Sequence, residues 1–213
     1  MRTPASVGHH RRVDAAQVAA LRTLLAPTGW LERTRSFARA LRGSTSSPGG
    51  LLLVGTPDEE PWHLAAHLDE ESRFAGIPEL APTLVRWAPV TGAPAHLRIG
   101  LERLEAARRG EALFVVSPDA APVPLLERVS DARKAGAVIL AMDQGDADLE
   151  GLAHESLIVR AAGSPVTFDA AQHLVSAAAG EPLTRGGPAP AGLRGLRSRL
   201  ARLLDTVSGP APE

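Results

Sequence analysis

Hydroxyls and carboxylates recur in this chain directly after short apolar runs, and there they can do chemistry. Leu51-Leu52-Leu53-Val54 leads into Gly55-Thr56-Pro57-Asp58-Glu59-Glu60, and Leu113-Phe114-Val115-Val116 leads into Ser117-Pro118-Asp119. Thr56 and Ser117 can offer hydroxyls to a sugar or another polar ligand, or can cap the turn or helix that follows. Asp119 reads first as a helix N-cap, with Ala120-Ala121-Pro122 as the first turn, and second as a ligand contact. Glu59 and Glu60 are carboxylates of the type that relays a proton between adjacent substrate carbons. His63 and His67 stand four apart, so one helix face can present both to a metal. No acidic motif of the HExxH type accompanies them, and surface or subunit-contact histidines are the better reading. Asp143-Gln144-Gly145-Asp146 lacks calcium-loop spacing and reads as a strand-to-helix turn capped by Asp146.

The elements that position these residues follow from hydrophobic periodicity. Apolar runs predict strands near 51, 83, 113, 138 and 157. Helical spacing predicts helices over 14–25, 30–41, 62–71, 94–109 (Leu97, Leu101 and Leu104 inward), 119–134, a short one before 157, and 168–179 stopped by Gly180. Near-continuous apolar strands alternating with helices are the pattern of a parallel sheet covered on both faces. The expected fold is a three-layer α/β/α domain with a five-stranded parallel sheet, flavodoxin-like, carrying N- and C-terminal helical extensions. In such sheets ligands bind at the carboxyl ends of the strands.

Residues 1–13 read as a mobile basic tail, 14–183 as the α/β domain, 184–192 as a Pro/Gly linker, and 193–213 as a basic amphipathic helix with a frayed end. With 213 residues, 44% of them apolar, the chain is long enough for one domain with a substantial core. A net charge of −1 points to no nucleic-acid partner. The absence of cysteine excludes disulfides, thiolate metal sites and cysteine nucleophiles. No apolar stretch approaches the length of a membrane span, and a cytoplasmic location is expected. Neither a G-x-x-x-x-G-K-[ST] nor a G-x-G-x-x-G motif is present, and no cofactor or metal is expected.

At residues 30–180 the chain resembles the sugar isomerase (SIS) domain family. Strand 51–54 ends at Gly55, where the family has a Gly-rich turn. Val115-Val116-Ser117-Pro118-Asp119-Ala120 stands where it has a strand ending in Ser-x-Ser-Gly-x-Thr. The helix ending in Lys134-Ala135-Gly136, the strand 137–142, and Leu149-Glu150-Gly151-Leu152-Ala153-His154 continue the pattern. The resemblance implies a phosphosugar-binding fold that pairs as a homodimer, with ligand contacts at Gly55, Thr56, Ser117 and Asp119. It also implies, in catalytic members, a Glu for proton transfer and a His for ring opening. Glu59, Glu60 and His173 are the residues that could take those roles.

The loops depart from that pattern. Pro118 removes a backbone N–H, Asp119 adds a negative charge, and Ala120 lacks the freedom of glycine. At about 4 Å and an effective dielectric of about 20, like charges repel by several kcal/mol, so a phosphate is disfavoured. The function expected is a dimeric carbohydrate-derivative binding or regulatory module without catalysis. The alternatives are a phosphosugar isomerase with an altered loop, and a dimerisation platform that has lost its ligand.

Overall fold

The computed structural model describes residues 25–181. The chain divides into a unit spanning Arg33–Gly180 and a second formed by Met1–Glu32 and Glu181–Glu213; the first is described below. The tail at 1–13, most of the helix expected over 14–25, the linker at 184–192 and the basic helix at 193–207 lie outside the described residues.

Five strands, β1 (Leu51–Val54), β2 (Pro82–Val85), β3 (Ala112–Ser117), β4 (Val138–Asp143) and β5 (Glu155–Ile158), form one sheet in the order β2-β1-β3-β4-β5. Every pairing is parallel, with Leu51 opposite both Pro82 and Ala112, Ala112 opposite Val138, and Leu140 opposite Glu155. This is the expected sheet. β1 and β3 are buried at every position, which is why both read as unbroken apolar runs rather than alternating ones. Pro82 is tolerated because it opens an edge strand, where a missing N–H breaks no ladder.

The helices are α1 (Trp30–Gly43), α2 (Trp62–Ala75), the single turn α3 (Glu102–Glu105), α4 (Val123–Lys134), α5 (Ala147–Leu152) and α6 (Phe168–Gly180). One face of the sheet packs Leu52, Val54, Leu113, Val115, Ile139 and Ala141 against Leu104, Leu125, Val129, Ala132 and Leu149 of α3, α4 and α5. On the other face the Phe37 ring of α1 meets Phe114 with centroids 5.3 Å apart at a tilted angle. The α2 and α6 helices pack against each other. Each fully buried Leu, Val or Phe contributes about 1.5–3 kcal/mol over its exposed state, so the buried strands β1, β3 and β4 and the helices packed on them share the core's stabilisation.

Two expectations are corrected. The stretch 94–109 is not one helix. A 3₁₀ turn at Ala95–Leu97 and the turn α3 flank an extended piece in which Arg86 N donates to Ile99 O (2.8 Å) and Gly100 bridges Arg86 in parallel. A mid-helix glycine costs about 1 kcal/mol, and here backbone pairing along the open edge of β2 wins instead. Leu97 is consequently half-exposed rather than inward. Nor is Asp119 a helix cap: α4 starts at Val123 with Pro122 as the capping position, and Asp119 is exposed in the loop before it. Smaller shifts are that α2 continues one turn beyond the expected end and β2 is shorter than the apolar run.

Candidate functional site

All five strands are parallel, so the loops after them emerge at one edge. In the order 2-1-3-4-5 the connections leave β1 and β3 in opposite directions, and in sheets of this kind ligands bind between the loops following two such strands. Gly55 and Thr56 follow β1, Ser117 is the last residue of β3 and Asp119 lies in the loop after it, so the expected ligand contacts stand at the carboxyl ends of these two neighbouring strands.

The β1 loop is closed on itself. Glu59 N donates to Thr56 Oγ1 (3.2 Å) and Thr56 N donates to Glu59 O (3.1 Å). Thr56 is buried, and its hydroxyl oxygen is used as a turn cap. A side chain on Gly55 would collide with Glu59 O and sit 2.7 Å from Pro61 Cδ. This glycine therefore answers to the return of its own chain, whatever else approaches it.

Glu60 is held by the two residues that follow β2. Its Oε2 accepts from Arg86 Nε (2.9 Å) and lies 2.9 Å from Arg86 Nη2 in an ion pair, and its Oε1 accepts from Trp87 N (3.3 Å). The two side chains are only 12% and 16% exposed. Arg86 lies over the Trp62 ring at 4.4 Å, and Trp87 Nε1 donates to Gly55 O (2.8 Å). Arg86, Trp62 and Trp87 were not among the sequence candidates. The signal was present: of only three tryptophans, in a chain with no tyrosine, one opens the helix after the β1 loop and another directly follows Arg86 at the end of β2.

The β3 and β4 loops are tied together. Ser117 is fully buried and its Oγ donates to Asp119 O (2.6 Å). Asp146 caps α5 by accepting from Asp148 N (3.0 Å) and Leu149 N (3.2 Å) through Oδ1, as its spacing predicts. Its Oδ2 reaches across to accept from Ala121 N (2.7 Å). A carboxylate of the chain itself thus sits just before α4. Pro118 and Pro122 have no N–H to offer, and the N–H of Ala121 is occupied.

Asp143, the register partner of Ser117, is fully buried. Its Oδ1 accepts from Gly145 N (2.6 Å) and Asp146 N (2.9 Å), while Oδ2 is buried with no hydrogen-bond partner. Burial, first, and the nearby Asp146 push its pKa above the ordinary 3.8, against the lowering effect of the two backbone N–H groups. A raised carboxyl pKa favours folding below the unfolded value and loses that contribution as pH rises through the folded one. Asp143→Asn keeps an Oδ1 acceptor and removes the charge. Its stability relative to wild type is therefore expected to improve as pH rises above the unfolded carboxyl value of about 4, and to level off once the folded carboxyl has ionised. Urea midpoints of both proteins across that rise in pH check this, and a pH-independent difference would refute it.

His173 lies on the α2–α6 seam. Its ring centroid is 4.5 Å from that of His67, and its Nε2 is 3.6 Å from Asp169 Oδ2. Burial chiefly, with His67 and His63 nearby, lowers its pKa, and Asp169 opposes this. The interactions found for His173 are with these residues, not with Glu59 or Glu60. His63 is exposed. Among the described residues no group of three or more His, Asp or Glu is arranged to hold a metal.

No known family profile matches the chain, and no curated protein matches it. Among solved structures it is similar to a protein from Silicibacter pomeroyi DSS-3 described as a candidate phosphosugar isomerase, with TM-score 0.53 and 18% identity over 93% of this chain and 56% of that one. The chain thus spans little more than half the length of that neighbour, and the likeness concerns the fold. The Vibrio vulnificus NanR protein complexed with ManNAc-6P is matched at TM-score 0.38 and 12% identity, over 95% of this chain and 64% of that one.

Proposed function

We propose that this chain is a non-catalytic carbohydrate-binding module, and that it takes an uncharged carbohydrate derivative at the carboxyl edge of the sheet rather than a phosphate monoester. The observation that carries this is Asp146. Its carboxylate accepts the Ala121 N–H in front of α4, where an anion-binding loop of this fold would offer its amides. Exposed Asp119 adds a second negative charge to the same loop. The phosphosugar description of the Silicibacter neighbour makes carbohydrate the first ligand class to test. Against catalysis stand the engagement of Glu60 by Arg86 and Trp87 and the closure of Thr56 and Ser117 within their own loops.

Calorimetry with N-acetylglucosamine, N-acetylmannosamine and their 6-phosphates tests the reading. Wild type is expected to bind the phosphorylated sugars no better than the parent sugars. Asp119→Ser combined with Asp146→Asn removes both charges and keeps a side-chain cap on α5. It is expected to improve binding of the 6-phosphates about fivefold or more relative to the parent sugars. Tight, phosphate-dependent binding by wild type would overturn the proposal. Turnover of fructose 6-phosphate lost on Glu59→Gln would install the isomerase in its place. A flat response to every carbohydrate would leave an interaction platform.

A further inference from the structure

An aromatic surface at the mouth of the sheet is held in place and left open. Trp62 is the first residue of α2 and follows the β1 loop directly. It is 40% exposed, a large apolar area to leave in water for a chain with so few aromatics. The Arg86 guanidinium covers the ring at 4.4 Å. Arg86 is itself held by a hydrogen bond and an ion pair to Glu60 Oε2, and Glu60 by the Trp87 backbone. The indole therefore rests on a braced, planar support instead of swinging freely. Among the described residues the Trp62 N–H has no hydrogen-bond partner, nor has Arg86 Nη1.

We infer that Trp62 is a stacking platform for the apolar face of a pyranose ring, on the indole face opposite Arg86, with the Trp62 N–H at its edge as a donor to the ring's hydroxyls. The inference rests on the carbohydrate reading above and names the residue that reads the ring. The chemistry selects this ligand. A pyranose with equatorial substituents presents a face of C–H bonds, which carry partial positive charge and suit the negative face of an indole quadrupole. Its rim of hydroxyls suits free N–H donors. The charge of Arg86 is already balanced by Glu60, so the support behind the ring adds no net field, which fits a neutral polyol better than an anion. Sugar sites typically combine such an aromatic wall with a few fixed polar groups.

The probes are methyl β-D-glucopyranoside, N-acetylglucosamine and N-acetylmannosamine, titrated into the full chain by calorimetry and by ¹⁵N-resolved spectra of the three indole N–H signals. The Trp62 signal, assigned through Trp62→Phe, is expected to shift on titration. Affinity is expected to fall about fivefold or more in Trp62→Ala and by less in Trp62→Phe, which keeps a smaller ring. Should Trp62→Ala fail to fold, the indole signals of wild type and the affinity of Trp62→Phe still decide. Sugar binding that leaves the Trp62 signal and both variants' affinities unmoved would overturn the platform while leaving the carbohydrate reading intact. No binding by any probe would overturn both.

Discussion

Glu60→Ala is expected to cost about 3 kcal/mol of stability, because it leaves the Arg86 guanidinium mostly buried without its counter-charge. The Coulomb attraction of such a pair roughly offsets the desolvation of its two members, so the intact pair adds little. Removing one member leaves the other's desolvation unbalanced, and that penalty sets the size of the loss. Two further effects add to it. Trp87 N loses its acceptor, and Arg86 loses the brace that holds it over Trp62. Glu60→Gln keeps an acceptor and is expected to cost less than half as much. Urea unfolding of the three proteins measures this. A loss below about 1 kcal/mol in Glu60→Ala would mean that the pair is solvated and Glu60 free to move, reopening its candidacy as a proton-transfer group.

Gly55→Ala is expected to be nearly as damaging, at about 2–3 kcal/mol, through overpacking rather than charge. The added carbon collides with Glu59 O and lies 2.7 Å from Pro61 Cδ. Neither obstacle yields easily. The Glu59 carbonyl is committed to Thr56 N, and the Pro61 ring is rigid. Relief must come from opening the β1 loop, which also strains the bond from Trp87 Nε1 to Gly55 O. Gly151→Ala is the matched control. It sits in α5 with nothing within 4 Å of the added carbon, and is expected to be neutral or to stabilise by about 0.5–1 kcal/mol. Equal thermal midpoints for the two variants would show that the β1 loop is plastic and its glycine dispensable.

Where sequence reasoning succeeded, the determining interactions are local or one-dimensional. The unbroken apolar runs at 51–54 and 112–116 have no polar face to turn to water, which with their length and the flanking turn residues is the pattern of central strands in a sheet covered on both faces. Asp146 caps α5 because its side chain reaches amides two and three residues ahead, a contact set by chain geometry. Where it failed, at 94–109 and Asp119, local preference competed with distant partners. Helical periodicity in Leu97, Leu101 and Leu104 lost to backbone pairing of Ile99 and Gly100 with Arg86, on a strand edge that exists only once β2 has joined β1. Asp119 satisfies the spacing of a cap, but Pro122 starts α4 later, and the amide nearest the helix went to a carboxylate 25 residues away.

The same division runs through the candidate site. Sequence alone determined that Gly55, Thr56, Ser117 and Asp119 stand at strand ends, and that the loops depart from a phosphate-binding pattern. Only the tertiary structure decided what each group is free to do. It turned the hydroxyls of Thr56 and Ser117 inward, spent Glu60 on Arg86, placed Asp146 before α4, and left Trp62 open on its braced support. The physical reason is that period and propensity fix where a residue lies along its own element. The availability of a polar group depends on which unsatisfied donor or acceptor the packing of other elements brings within about 3 Å of it, and that information is spread over the whole chain.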